Sequence, residues 1–224
     1  MPLPGRRGFL SRERKWLMQV NTNEYLTRVI VESKLLDNLD RVQLPEISLD
    51  TEGIKVIMIN EVTPQNPDDY FYSRSEQADF MKTTLPIFKN AGADVNSIDD
   101  IINLGIYITT AVKCPKSGNT VDSTLIKTHA PVLEEELKLF PNLRVIMLMG
   151  DVAKKSFNLI AKKNTKRNVI PSESTYKIRN NEYYYGNIRV FPSYIMTGKN
   201  LQIEKSKVDM IMDDVRKMLE MINR

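Results

Sequence analysis

Residues 143–151, LRVIMLMGD, hold a short apolar run followed by a glycine and an acidic residue. A run of this length and composition is typical of a strand that is buried on both faces of a parallel sheet. Residues 151–163 then follow a helical pattern, which predicts that the strand turns directly into a helix. Gly150-Asp151 fits either a tight turn with an acidic helix cap or an anion site at the helix N-terminus.

Similar apolar runs occur on both sides of this segment and alternate with helical patterns. The other predicted strands are 54–59 (IKVIMI), 106–112 (IYITTAV) and 188–191 (IRVF). Helices are predicted after residues 21–23, over 75–89, from Ser97 to about Gly105, and over 123–140, 151–163 and 202–222. This alternation indicates a three-layer α/β/α sandwich around a short, mainly parallel four-stranded sheet. A hairpin turning at Asn180-Asn181 is also expected.

Length and composition limit the classes of protein to consider. The chain has 224 residues and a net charge of +4, with one cysteine, Cys114. This length fits one domain or two small ones, and a single cysteine excludes an internal disulfide framework. No apolar run approaches 18 residues and no apolar segment follows the basic start. We therefore expect no membrane span and no secretory signal, and a cytoplasmic location.

The first 21 residues differ in character from the rest of the chain. They carry four arginines within fifteen residues, with two prolines and two glycines and no clear period. They are expected to form a poorly ordered arm or a cloning remnant. The alternative with a function is a basic arm that contacts phosphate. Residues 22–224 are expected to form a single domain.

Ligands of parallel sheets bind beyond the carboxyl ends of the strands. Glu61 follows the strand at 54–59; it can orient a water or stabilise a cation, or it can simply cap a helix. Tyr70, Phe71 and Tyr72 can stack on a base or fill the rim of the core. Neither a dinucleotide fingerprint nor a P-loop occurs, which argues against those nucleotide sites.

Six motifs follow one another between about residues 55 and 219. They are NEVTP (60–64), YFYSRSEQ (70–77), YITTAVKC (107–114), HAPVLEEEL (129–137), VIMLMG (145–150) and FPS (191–193). In this order they resemble the motifs of the uracil-DNA glycosylase superfamily, most closely its thermostable iron–sulfur branch, family four. The resemblance implies a uracil-DNA glycosylase-like fold and a DNA-binding hydrolase of DNA repair, acting on the N-glycosidic bond of a damaged or deaminated base.

The resemblance also implies roles for individual residues. Glu61 would be the catalytic carboxylate, which positions water and balances the positive charge on the sugar. Phe71 would stack on the flipped base. Ser193 and Lys199 would bind the phosphate backbone.

The departures from the family's pattern fall at the base-binding positions. Thr110 stands where the family has a base-reading asparagine amide, and Phe191 stands where it has a histidine beside the base carbonyl. The resemblance therefore predicts altered base specificity at Thr110 and Phe191. The branch's cluster needs four cysteines and only Cys114 remains, so neither a cofactor nor a metal is expected. His129 lies at or beside a second cluster position and is interpreted as a core-edge histidine.

Three hypotheses about function follow. The first is a DNA glycosylase, the second a non-catalytic nucleic-acid-binding relative, and the third a nucleoside or nucleotide binder using the same pocket. DNA is the expected partner, and a monomer without membrane contact is expected. Basic residues over 151–179 outnumber acidic ones by eight to two, which fits a phosphate-binding patch or a solvated helix face equally well.

Overall fold

The computed structural model describes residues 19–75, 78–198 and 204–222. The strands are β1 (Gln19–Asn21), β2 (Ser48–Asp50), β3 (Val56–Val62), β4 (Ile106–Val112), β5 (Val145–Met149), β6 (Tyr183–Tyr185) and β7 (Ile188–Ser193). The α-helices are α1 (Thr22–Glu32), α2 (Asp79–Asn90), α3 (Ile98–Asn103), α4 (Ser123–Leu137), α5 (Asp151–Thr165), α6 (Thr175–Ile178) and α7 (Lys205–Ile222).

The main sheet has the strand order β4-β3-β5-β7-β6. Its first four strands are parallel, and β6 runs antiparallel to β7. Helices α2, α3 and α7 cover one face, and helices α4 and α5 cover the other. The predicted three-layer α/β/α sandwich is confirmed, with a sheet of five strands rather than four.

The fifth strand comes from a hairpin whose position was predicted wrongly. The turn lies at Gly186-Asn187, between β6 and β7, and not at Asn180-Asn181. Gly186 has a φ of 59°, which suits a tight hairpin turn. Residues 176–179 were expected to form the first arm of the hairpin, but residues 176–178 lie in helix α6 and Arg179 is its C-cap.

Burial on both faces explains the apolar runs of the central strands. Every residue of β4 and β5 is buried, and successive residues of β3 face opposite layers, as with Ile57 and Met58. Strand β3 extends beyond the predicted end at residue 59, because Asn60 and Val62 still pair with Thr110 and Val112 of β4. The apolar run ends before the polar Asn60, so the hydrophobic pattern did not predict this extension.

The amino-terminal part of the chain is partly described. Residues 1–18 lie outside the described part, whereas Gln19–Asn21 form a strand paired with Ser48–Asp50. Residues 19–21, which the sequence placed in the amino-terminal arm, therefore take part in a strand. Among the described helices, none is long and apolar enough to cross a membrane.

The edge of the sheet positions the aromatic segment that was assigned to base binding. The Tyr72 hydroxyl donates to the Ile108 carbonyl at 2.7 Å and accepts from the Ile108 N–H at 3.1 Å. Strand β4 is the edge strand, so this side chain satisfies backbone groups that no neighbouring strand reaches. The contact anchors residues 70–72 against the sheet.

A buried ion pair joins β4 to α4. Lys113 and Glu136 form the pair, and neither side chain is exposed to solvent. Glu136 Oε1 also accepts hydrogen bonds from the Tyr107 and Thr109 hydroxyls, each at 2.8 Å. Burial lowers the pKa of the Lys113 ammonium, while the Glu136 carboxylate opposes that shift.

The single histidine should make stability depend on pH. His129 is 4% exposed and its Nδ1 accepts from the Lys113 N–H at 3.2 Å. Burial lowers the pKa of the imidazole to about 4, whereas that pKa is about 6.5 in the unfolded chain. As pH falls through this window, the unfolded chain binds a proton that the folded chain excludes. Stability is expected to fall between about pH 6.5 and 4, by up to about 3 kcal/mol.

Urea unfolding of the wild type and the His129→Asn variant at a series of pH values measures this effect. The asparagine carbonyl can still accept from the Lys113 N–H but does not titrate. The difference in free energy of unfolding between the two proteins should change across the window. Parallel pH profiles would contradict the assignment.

Candidate functional site

A cleft of about 780 Å³ opens over the carboxyl ends of the parallel strands. It is lined from both layers, by Phe80 of α2 on one side and by Gly150 and Asp151 on the other. The end of β3 supplies Glu61 and the segment after it. Open parallel sheets bind their ligands in this position, so the cleft is the candidate site.

Glu61 lies at this cleft with its carboxylate at the start of helix α5. Its Oε1 accepts a hydrogen bond from the Val152 N–H at 3.0 Å. Burial raises the pKa of the carboxyl group, the Val152 N–H opposes that shift, and the charge of Asp151 adds to it. A carboxylate that is fixed in orientation and whose pKa is raised accepts a proton more readily than a free one.

Gly150 allows Glu61 to reach the helix. Its φ is 106°, and a Cβ atom there would lie 2.4 Å from Glu61 Oε1 and 2.6 Å from Ile195 Cγ1. The turn predicted at Gly150-Asp151 is therefore present, and Glu61 supplies a carboxylate at the helix N-terminus. Asp151 is exposed and pairs with Lys154 at 2.7 Å.

A Gly150→Ala substitution is expected to destabilise the protein more than Gly92→Ala does. Gly92 has a similar φ of 102° but nothing within 4 Å of an added Cβ. Both variants incur backbone strain of about 1–3 kcal/mol, and only Gly150→Ala adds the collision with Glu61 and Ile195. Chemical unfolding of the two variants measures the difference, and equal losses would show that the contact with Glu61 is not tight.

The aromatic predicted to stack on a base lies in the core. Phe71 is 1% exposed, and its ring packs 5.7 Å from Tyr70 and 5.0 Å from Phe80, measured between ring centroids. Phe71 does not line the cleft, whereas Phe80 does. No sequence pattern pointed to Phe80, so its position at the cleft was missed.

The two positions tied to base specificity are also buried outside the cleft lining. Thr110 is fully buried at the end of β4. Phe191 is 4% exposed and stacks beneath the Arg189 guanidinium, 4.3 Å from the ring centroid. The structure therefore does not bring Thr110 and Phe191 to the cleft surface with Glu61.

Of the two predicted phosphate ligands, one is described, and its hydroxyl already has a partner. Ser193 is fully buried and donates to Asp214 Oδ2 at 2.6 Å. Asp214 also pairs with Arg179 at 2.7 Å, and burial raises the pKa of its carboxyl despite both contacts. Lys199 lies outside the described residues.

The basic residues over 151–179 are not all free to bind phosphate. Lys154, Lys163 and Arg179 are engaged in ion pairs with acidic side chains. Helix α5 has 15 residues and is therefore about 22 Å long, so the lysines at its far end lie away from the cleft. Lys116 and Lys207 line the cleft instead, and no pattern in the sequence indicated that they converge.

Cys114 and His129 lie in contact beneath this edge of the sheet. Cys114 Sγ is 3.6 Å from His129 Nε2, and burial raises the pKa of the thiol. The thiol is thus not activated as a nucleophile. Across the described residues, no group of three or more His, Cys, Asp or Glu side chains is arranged to hold a metal ion.

Comparison with known protein families gives a match over more than half of the chain. The family model of the uracil DNA glycosylase superfamily matches residues 64–210. The matched range includes Phe80, Gly150 and Lys207, which line the cleft, and it begins three residues after Glu61. No curated protein matches the chain.

Proposed function

Because the chain belongs to the uracil-DNA glycosylase superfamily, we propose that it hydrolyses the N-glycosidic bond of a damaged or deaminated base in DNA, with Glu61 as the catalytic carboxylate. The observation that carries the proposal is the position of Glu61, at the strand end of the cleft and held by a helix N-terminus. Its fixed orientation supports a role in aligning a water with the sugar.

The chemistry follows from the charge that develops as the bond breaks. The sugar becomes cationic and the departing base becomes anionic. Glu61 stabilises the cation, and its raised pKa favours acceptance of a proton from the attacking water. Lys116 and Lys207 at the cleft provide positive charge for the phosphates that flank the sugar.

Uracil is expected to be a poor substrate. Phe191 stands where the resemblance places a histidine beside the base carbonyl, and a phenylalanine side chain has no donor for that oxygen. Loss of one such donor slows related reactions on the order of 100-fold. Uracil release should therefore be about 100-fold or more slower than release of the best base in a panel of duplexes, each carrying one damaged base. Abasic-site formation measures the rates, and uracil as the fastest substrate would contradict the prediction.

We place the chain nearest the family-four branch on its motifs, and its residues do not fit that branch's iron–sulfur cluster. The chain contains one cysteine. Cys114 and His129, at or beside two of the expected ligand positions, contact each other directly. A cluster held by four cysteines of one chain cannot form, and no step of the proposed reaction involves one.

A second candidate function is nucleic-acid binding without catalysis. Its support is the burial of Phe71, Thr110 and Phe191 away from the cleft surface. Salt-dependent binding to duplex DNA, with no abasic site formed from any base in the panel, would favour this function. Release of any one base would favour the glycosylase.

A further inference from the structure

The ends of β3 and β4 hold buried polar atoms whose hydrogen bonds are not satisfied. Among the described residues, Asn60 Nδ2 and Oδ1, the Thr110 hydroxyl and the Tyr70 hydroxyl have no hydrogen-bond partner. Asn60 and Thr110 are fully buried, and Tyr70 is 5% exposed. Buried polar side chains are nearly always hydrogen-bonded, because an unsatisfied one costs free energy.

These three side chains are neighbours, and we call them the polar cluster. Asn60 and Thr110 are register partners on adjacent parallel strands, so their side chains leave the same face of the sheet. The Tyr70 hydroxyl lies beside the Thr110 hydroxyl without completing a hydrogen bond of good geometry. Three residues from separate segments thus place hydrogen-bond donors and acceptors that have no partner close together.

One aromatic ring adjoins both the cleft and a member of the polar cluster. Phe80 lines the cleft, and its ring centroid is 6.4 Å from that of Tyr70. Thr63, three residues after Asn60, also lines the cleft, and its buried hydroxyl has no partner in the described chain. Unsatisfied polar groups therefore occur both at the cleft wall, on Thr63, and beside the ring of Phe80, on Tyr70.

We propose that Asn60 is the base-reading residue of this site and that Phe80 moves aside to admit the base. The proposal rests on the proposed function and names how the substrate is recognised. A side-chain amide offers one donor and one acceptor side by side, which matches a nucleobase edge where a donor adjoins an acceptor. Thr110 and Tyr70 can each donate or accept beside it. The ligand class is a flipped nucleobase with such an edge.

The test uses duplexes that bind but cannot be cleaved. Each carries one 2′-fluoro-2′-deoxynucleotide, whose base is uracil, hypoxanthine, thymine or difluorotoluene, an apolar mimic of thymine. The wild type should bind at least one hydrogen-bonding base about 10-fold more tightly than the mimic. Asn60→Leu should reduce this ratio to about one. Ser156→Ala, which removes another buried hydroxyl without a partner on α5, should keep the ratio.

A stability measurement accompanies the binding measurement. If Asn60 reads a ligand, Asn60→Leu removes unsatisfied atoms and should leave the unfolding midpoint unchanged or raise it. A lowered unfolding midpoint in both Asn60→Leu and Asn60→Ala would overturn the inference. So would a binding ratio that Asn60→Leu leaves unchanged, or a wild type that binds the hydrogen-bonding bases no more tightly than the mimic. Base release on cleavable duplexes tests the proposed function separately, since binding to the fluorinated duplexes needs no catalysis.

Discussion

Replacement of Glu61 by glutamine is expected to slow base release about 100-fold or more, in the range typical of a positioned acid or base. The glutamine carbonyl can still accept the hydrogen bond that Glu61 Oε1 receives from the Val152 N–H, so the helix N-terminus stays satisfied. What the variant loses is the negative charge and the ability to accept a proton. The substitution therefore separates catalysis from the structural role of the side chain.

Single-turnover release of the best base in the panel measures this effect, together with affinity for the uncleaved duplex. Affinity should barely change, because phosphate contacts come from other residues. Asp151→Asn is the matched control, since Asp151 is a second carboxylate of the cleft but is exposed and paired with Lys154. A Glu61→Gln rate within a few-fold of the wild type would show that the carboxylate does not act in the reaction.

Removal of the Glu136 carboxylate is expected to have the largest effect on stability. Glu136→Ala leaves the Lys113 ammonium buried without its counter-charge, and it removes the acceptor of the Tyr107 and Thr109 hydroxyls. Breaking a buried ion pair from one side typically costs about 3–5 kcal/mol. Urea unfolding should show a loss of this size in the free energy of unfolding.

The matched control removes both charges at once. In the double variant Lys113→Met/Glu136→Leu, no uncompensated charge remains in the core, and such replacements are often neutral or stabilising. We expect the double variant to be more stable than Glu136→Ala. If it is instead less stable, the uncompensated charge of Lys113 is not the main cause of the loss in Glu136→Ala.

The local patterns of the chain predicted much of the fold. Strand β4 has the predicted bounds, 106–112, because a fully buried strand can be read from its apolar run. Ser97 caps helix α3 and forms a capping box with Asp100, since this contact lies within one turn of the chain. Hydrophobic pattern and capping chemistry act over a few residues, so the sequence shows them directly.

The candidate site was predicted only in part. Glu61 could be found because it is the first charged residue after a buried strand, and the cleft does form there. Its contact with Val152, 91 positions away, could not be read from the sequence. Phe71 and Phe80 are both aromatic residues near one strand end, and only packing decides that Phe71 joins the core while Phe80 faces the cleft.

The sequence by itself therefore determined the layered α/β fold, the strand ends that carry the site and the absence of a four-cysteine cluster. Tertiary structure alone decided that Ser193 bonds to Asp214, that Arg179 pairs with Asp214, and that Asn60 lies beside Thr110. The physical reason is that strand pairing and helix packing join residues distant in sequence. That packing sets which hydrogen-bond partner each polar group finds. The tendency of a segment to form a strand or a helix is set largely by residues close to it along the chain.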